Sequence, residues 1–185
     1  MKAGTIILAI VILAVAGSLY YSAGNSAGNQ SILPSTASNG AQAELYICPQ
    51  DNCAEKLVSF LDESKSYAHV MIYSFTKQDI ADELVALKER GIEVIVLADK
   101  TQAGNKSSKL GYLELKGVKV KEIDLPGYSI FHHKVSIIDG NAFSTGSFNY
   151  TENADSGSAE NLVIIKNREL GQRMESEFQK YWNAD

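Results

Sequence analysis

The stretch His132-His133-Lys134-Val135-Ser136-Ile137-Ile138-Asp139, followed by Gly146-Ser147-Phe148-Asn149, holds the residues best suited to chemistry. On an extended strand successive side chains alternate between faces, so His132 and Lys134 point one way while His133 and Val135 point the other. One face then presents an imidazole and an ammonium about 7 Å apart along the chain, from a rise of about 3.4 Å per residue. Ser147 and Asn149 repeat the spacing of two and could add a hydroxyl and an amide to the same surface. A cation, a titratable imidazole and neutral donors together suit a tetrahedral phosphate. Taken alone, His133 reads as an ordinary polar or core histidine. His132 differs because Lys134, Asp139 and Asn149 arrive with it, and Gly146 fits a turn.

These residues need a scaffold, and the hydrophobic pattern supplies one. Residues 45–47 form a short strand, and 54–63 a helix with Leu57, Phe60 and Leu61 on one face and Asp51 or Asn52 as its cap. Residues 70–75 and 92–98 are apolar runs of strand length. Between them Thr76 is placed to cap a helix, with Asp79 three residues on, that buries Ile80, Leu84 and Leu87 and stops at Gly91. Four short strands follow, at 118–123, 134–138, 142–145 and 162–165. A closing helix over 169–182 puts Leu170, Met174, Phe178 and Tyr181 on one face. The order predicts an α/β fold, a mixed and largely parallel β-sheet flanked by helices.

The chain has 185 residues, 45% apolar and 21% charged, which places it among globular proteins. Its net charge of −5 excludes a protein that coats nucleic acid through bulk positive charge, though not a local basic groove. Lys2 is the one charged residue before Glu44. Residues 5–21 are uncharged and apolar, at the short edge of what spans a bilayer and slightly long for a signal-peptide core. Ala14-Val15-Ala16 and Ser22-Ala23-Gly24 offer cleavage sites, whereas Tyr20 and Tyr21 suit an uncleaved interfacial anchor. Residues 1–23 are thus a signal peptide or an N-terminal membrane anchor, 24–43 a flexible linker poor in charge, and 44–185 the folded domain. Either fate of the leader puts that domain outside the cytoplasm.

Two further features bear on chemistry. Cys48 and Cys53 have four residues between them; in an exported chain a small disulfide loop is expected, a free thiol pair being the alternative. Lys100, Lys106, Lys109, Lys116, Lys119 and Lys121 share a 22-residue stretch with one acidic group, Glu114. If that stretch flanks the site it steers a polyanion; otherwise it is a solvated loop. Tyr112, Tyr128 and Phe131 could touch lipid or stack on bases. The three histidines and the carboxylates show no metal-ligand spacing.

The spacing His132-x-Lys134-x4-Asp139, then Gly146-Ser147-x-Asn149, resembles the HxKxxxxD signature of the phospholipase D superfamily. With Tyr73-Ser74-Phe75-Thr76 before a helix and Ser158-Ala159-Glu160-Asn161 before a strand, it resembles the short single-motif branch, which holds bacterial endonucleases and mitochondrial cardiolipin hydrolases. The resemblance implies a two-step displacement at phosphorus through a phosphohistidine, without metal or other cofactor. One histidine attacks, and a second protonates the leaving oxygen and then activates water. The chain carries one motif, so the resemblance implies a symmetric homodimer whose two His132 side chains share one site. It makes His132 the nucleophile or acid/base, Lys134 and Asn149 the phosphate binders, Ser147 a weaker donor, and Glu160 the group that orients the histidine. Asp139 completes the catalytic set, but its parity and its place past the strand fit a supporting role. Nucleic acid is the expected substrate, with phospholipid the alternative; a phosphate-binding module without turnover is a third possibility.

Overall fold

The computed structural model describes residues 41–127 and 129–184. The leader, most of the linker and Tyr128 therefore lie outside the described residues. In chain order the elements are β1 (Gln42–Cys48), α1 (Cys53–Asp62), β2 (Tyr67–Ile72), α2 (Gln78–Glu89), β3 (Glu93–Asp99), α3 (Lys100–Ala103), α4 (Leu110–Leu115), β4 (Lys119–Ile123), β5 (Lys134–Ile138), β6 (Ala142–Gly146), a π-helical turn (Asn153–Gly157), β7 (Glu160–Lys166) and α5 (Arg168–Trp182). The strands form one sheet in the order β1-β7-β6-β5-β2-β3-β4. Among the described residues no helix is long and apolar enough to cross a membrane.

Alternation along the inner strands builds two apolar layers, one on each face of the sheet. Val70, Ile72, Val94 and Val96 face α1 and α2, where they meet Leu57, Phe60, Ile80, Leu84 and Leu87. Met71, Ile95, Leu97, Val135 and Ile137 face the other way and pack with Phe178 of α5. That helix follows the predicted stripe, with Leu170, Met174 and Tyr181 beside the fully buried Phe178. Burying a side chain of this size is worth about 1.5–3 kcal/mol. Asn167 caps the helix by accepting the Leu170 N–H at 2.9 Å.

The sheet is mixed and flanked by helices, but parallel pairing is confined to β2-β3 and β3-β4. The other four pairings are antiparallel, so the expected parallel majority is not found. The meander of β5, β6 and β7 joins β2 in antiparallel pairing, and the fourth such pairing comes from β1. That strand does not enter a crossover beside β2 but runs to the far edge and pairs with β7, placing Gln42 opposite Lys166. Local periodicity carries no information about a partner so distant in sequence. Two expected caps are also absent. Asn52 is left-handed and Lys77, not Thr76, precedes α2, and neither side chain caps its helix. Asp51 instead accepts the Ile47 N–H at 2.7 Å, and Asp155 accepts the Ala54 N–H at 3.0 Å.

Cys48 and Cys53, both fully buried, form a disulfide that ties the end of β1 to the start of α1. Closing a loop this small contributes about 2 kcal/mol in the chain-entropy picture. The C48S/C53S double variant is expected to lose about that much stability, read as a lower urea midpoint. An unchanged midpoint would mean that packing alone holds the loop.

Candidate active site

The β2–β5 and β3–β4 registers bring four strand ends to one edge of the sheet: Ile72 lies opposite Lys134, and Asp99 opposite Ile123. The 124–133 segment crosses from edge strand β4 to interior strand β5 at this edge, and His132 closes it. Lys134 opens β5. Gly146 ends β6, and Glu160 opens β7. Together His132, Lys134, Gly146, Ser147, Asn149, Glu160 and Asn161 line an open cleft of about 530 Å³. The alternation read from the sequence therefore holds: the imidazole and the ammonium share one wall.

His132 is exposed, and Lys134 is buried. The Lys134 ammonium donates to the His132 carbonyl at 3.0 Å and sits 5.0 Å above the Tyr73 ring. That ring lies 4.6 Å from the His132 imidazole, tilted by 58°. The Tyr73 hydroxyl accepts from Gln102 Nε2 at 3.2 Å. Burial and the Lys134 charge hold the His132 pKa below the usual histidine range, with Asp99 pulling it upward. A lowered pKa keeps the imidazole neutral, with its lone pair free, to lower pH. Burial likewise lowers the Lys134 pKa, opposed by the Glu160 carboxylate.

The remaining assignments divide. Asn149 lines the cleft, and its buried Oδ1 has no partner among the described residues, so that oxygen is not committed to the fold. Ser147 is in the cleft, but its hydroxyl donates to Glu160 and accepts the Asn161 N–H at 3.1 Å. Its proton is thus engaged rather than offered to a phosphate. Glu160 lies in the same cleft, yet its hydrogen bond is to Ser147 and its charge acts on Lys134; within one protomer it makes no hydrogen bond to His132. Gly146 is more than a turn residue. Its φ of +143° disfavours side chains, and a Cβ there would fall on the Asn161 carbonyl oxygen.

Asp139 is not in the cleft. It sits past the opposite end of β5, where its carboxylate accepts three backbone N–H groups: Lys65 at 2.9 Å, Ser66 at 2.8 Å and Tyr67 at 3.0 Å. Its place in the signature therefore reflects folding, because the strand's length separates it from His132. His133 turns to the other face, half-buried edge-on to Phe131 at 5.0 Å and beside a smaller cavity walled by Phe143, Leu170 and Met174. Phe131 is buried and cannot touch a ligand, while Tyr112 donates to Asp82 at 2.7 Å away from the cleft. The lysine-rich stretch does not form one face. Lys100 follows β3 at the cleft end, where it pairs with Asp124, whereas Lys119 pairs with Glu93 at the far end of the same strands. Among the described residues no cluster of three or more His, Cys, Asp or Glu side chains could hold a metal ion.

Comparison with known proteins places this geometry. A family described as "Cardiolipin synthase, PLD-like domain" matches residues 57–182. The chain is 34% identical over 124 residues to a protein from Rickettsia felis named phospholipase D, covering 67% of this chain and 61% of the relative. It is 28% identical over 138 residues to mitochondrial cardiolipin hydrolase of Xenopus tropicalis, covering 73% and 65%. The chain thus spans about three fifths of the length of the curated relatives it matches. Among solved structures, the phospholipase D family member Nuc from Salmonella typhimurium superposes with a TM-score of 0.72 at 31% identity, covering 77% of this chain and 95% of that one. NucT from Helicobacter pylori gives 0.72 at 29% identity, covering 77% and 96%.

Proposed function

The chain belongs to the phospholipase D-like family, and from that premise we propose that it hydrolyses phosphodiesters by covalent catalysis at His132, with nucleic acid as its substrate. One observation carries the reading: His132 and Lys134 converge on one open cleft with Asn149, which lies fifteen residues beyond Lys134 on the chain. A neutral imidazole is the nucleophile, and the Lys134 ammonium balances the charge on the phosphate. The His132 nitrogen bonds to phosphorus as the bond to the leaving oxygen breaks, and that oxygen takes a proton from a second imidazole. Water then gives its proton to the same imidazole, attacks phosphorus and releases His132.

One protomer supplies a single cleft histidine, so the second belongs to another copy, and the active species is a homodimer with a shared site. The walls favour an extended polyanion over a lipid. Among the described residues no large apolar side chain lines the cleft, so none of them would receive acyl chains. The relatives named phospholipase D and cardiolipin hydrolase support the lipid alternative. The buried disulfide supports an oxidising compartment outside the cytoplasm.

The test is turnover of single-stranded DNA, RNA and cardiolipin vesicles by the full chain in EDTA. Cleavage of a nucleic acid is expected. Release from cardiolipin alone would replace the substrate, and no turnover of any of the three, nor of bis(p-nitrophenyl) phosphate, would remove the enzymatic reading.

A further inference from the structure

Asp99 ends β3 at the cleft edge but does not line the cleft, and it is 2% exposed. Its carboxylate is saturated by donors from two segments. Oδ1 accepts the Thr101 N–H at 3.0 Å, the Gln102 N–H at 3.3 Å and the Thr101 hydroxyl. Oδ2 accepts the Phe131 N–H at 2.8 Å. The first set fixes α3, whose Gln102 side chain holds the hydroxyl of Tyr73, the ring that touches His132 and lies under Lys134. The second bond fixes the residue immediately before His132. Two mechanical routes thus lead from one buried carboxylate to the reacting ring.

We propose that Asp99 is the positioning residue of this site, setting the place of the His132 imidazole through Phe131 and Tyr73. The inference rests on the reading of His132 as the reacting group. Burial raises the Asp99 pKa, but the hydrogen bonds from Thr101, Phe131 and Gln102 outweigh it and hold the carboxyl below its usual range, so the charge persists. The charged and titratable groups that bear on the ring are Lys134 at the start of β5, Asp99 from β3, and His133 beside it; Glu160 of β7 acts on Lys134. Among these Asp99 is the group that favours the imidazolium directly. Its removal makes His132 lose its proton at lower pH.

The D99N variant keeps the shape but removes the charge and one acceptor. In the full-length protein kcat is expected to fall about 10- to 100-fold, the scale of a displacement near 1 Å at a reacting group, and the pH-rate profile to move to lower pH. A merely structural aspartate would not move the profile of the folded fraction. Ring-carbon NMR titration of His132 reads the same displacement without turnover. If wild-type protein turns over no substrate, the catalytic reading falls, while a lowered His132 titration in D99N still upholds the coupling. A D99N variant with wild-type kcat and an unmoved His132 titration overturns the proposal. Should D99N not fold, the carboxyl carbon of Asp99 in wild-type protein must report the His132 titration step; no inflection there overturns it equally.

Discussion

Replacing His132 by asparagine is expected to abolish turnover while leaving the fold intact. The ring is exposed and makes no side-chain hydrogen bond among the described residues, so its loss should change unfolding free energy by no more than about 0.5 kcal/mol. On the proposed mechanism the chemistry depends on it twice, as nucleophile and as acid/base. General acid–base catalysis alone is worth about 10²–10⁴-fold; removing the nucleophile as well should bring the loss to at least about 10⁴-fold. The variant also tests the shared site. If one site needs His132 from both copies, co-expressing equal amounts of wild type and H132N gives random dimers, of which only about a quarter are active. Two independent sites would retain about half the activity, and that outcome would remove the dimer from the mechanism. Trapping a phosphorylated imidazole at position 132 in wild-type protein is the direct complement.

Asp139 should show the opposite pattern. Its alanine variant loses a carboxylate that accepts three backbone N–H groups at the entry to β2. Hydrogen bonds to a charged acceptor are worth about 1.5–3 kcal/mol each when buried, and less here because Lys65 and Ser66 are exposed. Asp139 also adopts a φ of +53°, a conformation that aspartate tolerates and alanine resists, which adds about 1 kcal/mol. A total loss of about 3 kcal/mol is expected, read by urea titration, with kcat of the folded fraction unchanged. Normal stability with a collapsed kcat would return Asp139 to the catalytic machinery.

Much of this site was legible because it depends on strand parity. His132 and Lys134 are two residues apart, and alternation alone places them together and sends His133 away. The helical stripes of α2 and α5 were legible for the same reason, since their periods are local. Asp99 was missed, and Tyr73 was quoted only within Tyr73-Ser74-Phe75-Thr76 and given no role, because nothing local marks a contact with His132. They reach His132 only because a long segment crosses from an edge strand to an interior one over the ends of β2 and β3. Ser147 and Glu160 were both placed in the cleft, but their mutual hydrogen bond was hidden, because it joins the residue after β6 to the start of β7, and the pairing of those strands cannot be read from either. The same limit explains the sheet: β1 looks like the opening of a parallel array, and only its distant partner β7 makes it an antiparallel edge.

The bond from Phe131 to Asp99 also divides the molecule's freedom to change. Phe131 is buried and pinned, whereas nearly all the described residues of 124–130 just before it are exposed. Insertions or substitutions in that stretch are expected to leave the ring downstream of the pin undisturbed. A single residue inserted between His132 and Lys134 would instead break the pairing of parity that puts them on one wall. Changes of chain length here therefore have a tolerant stretch in which to fall, and a boundary they should not cross.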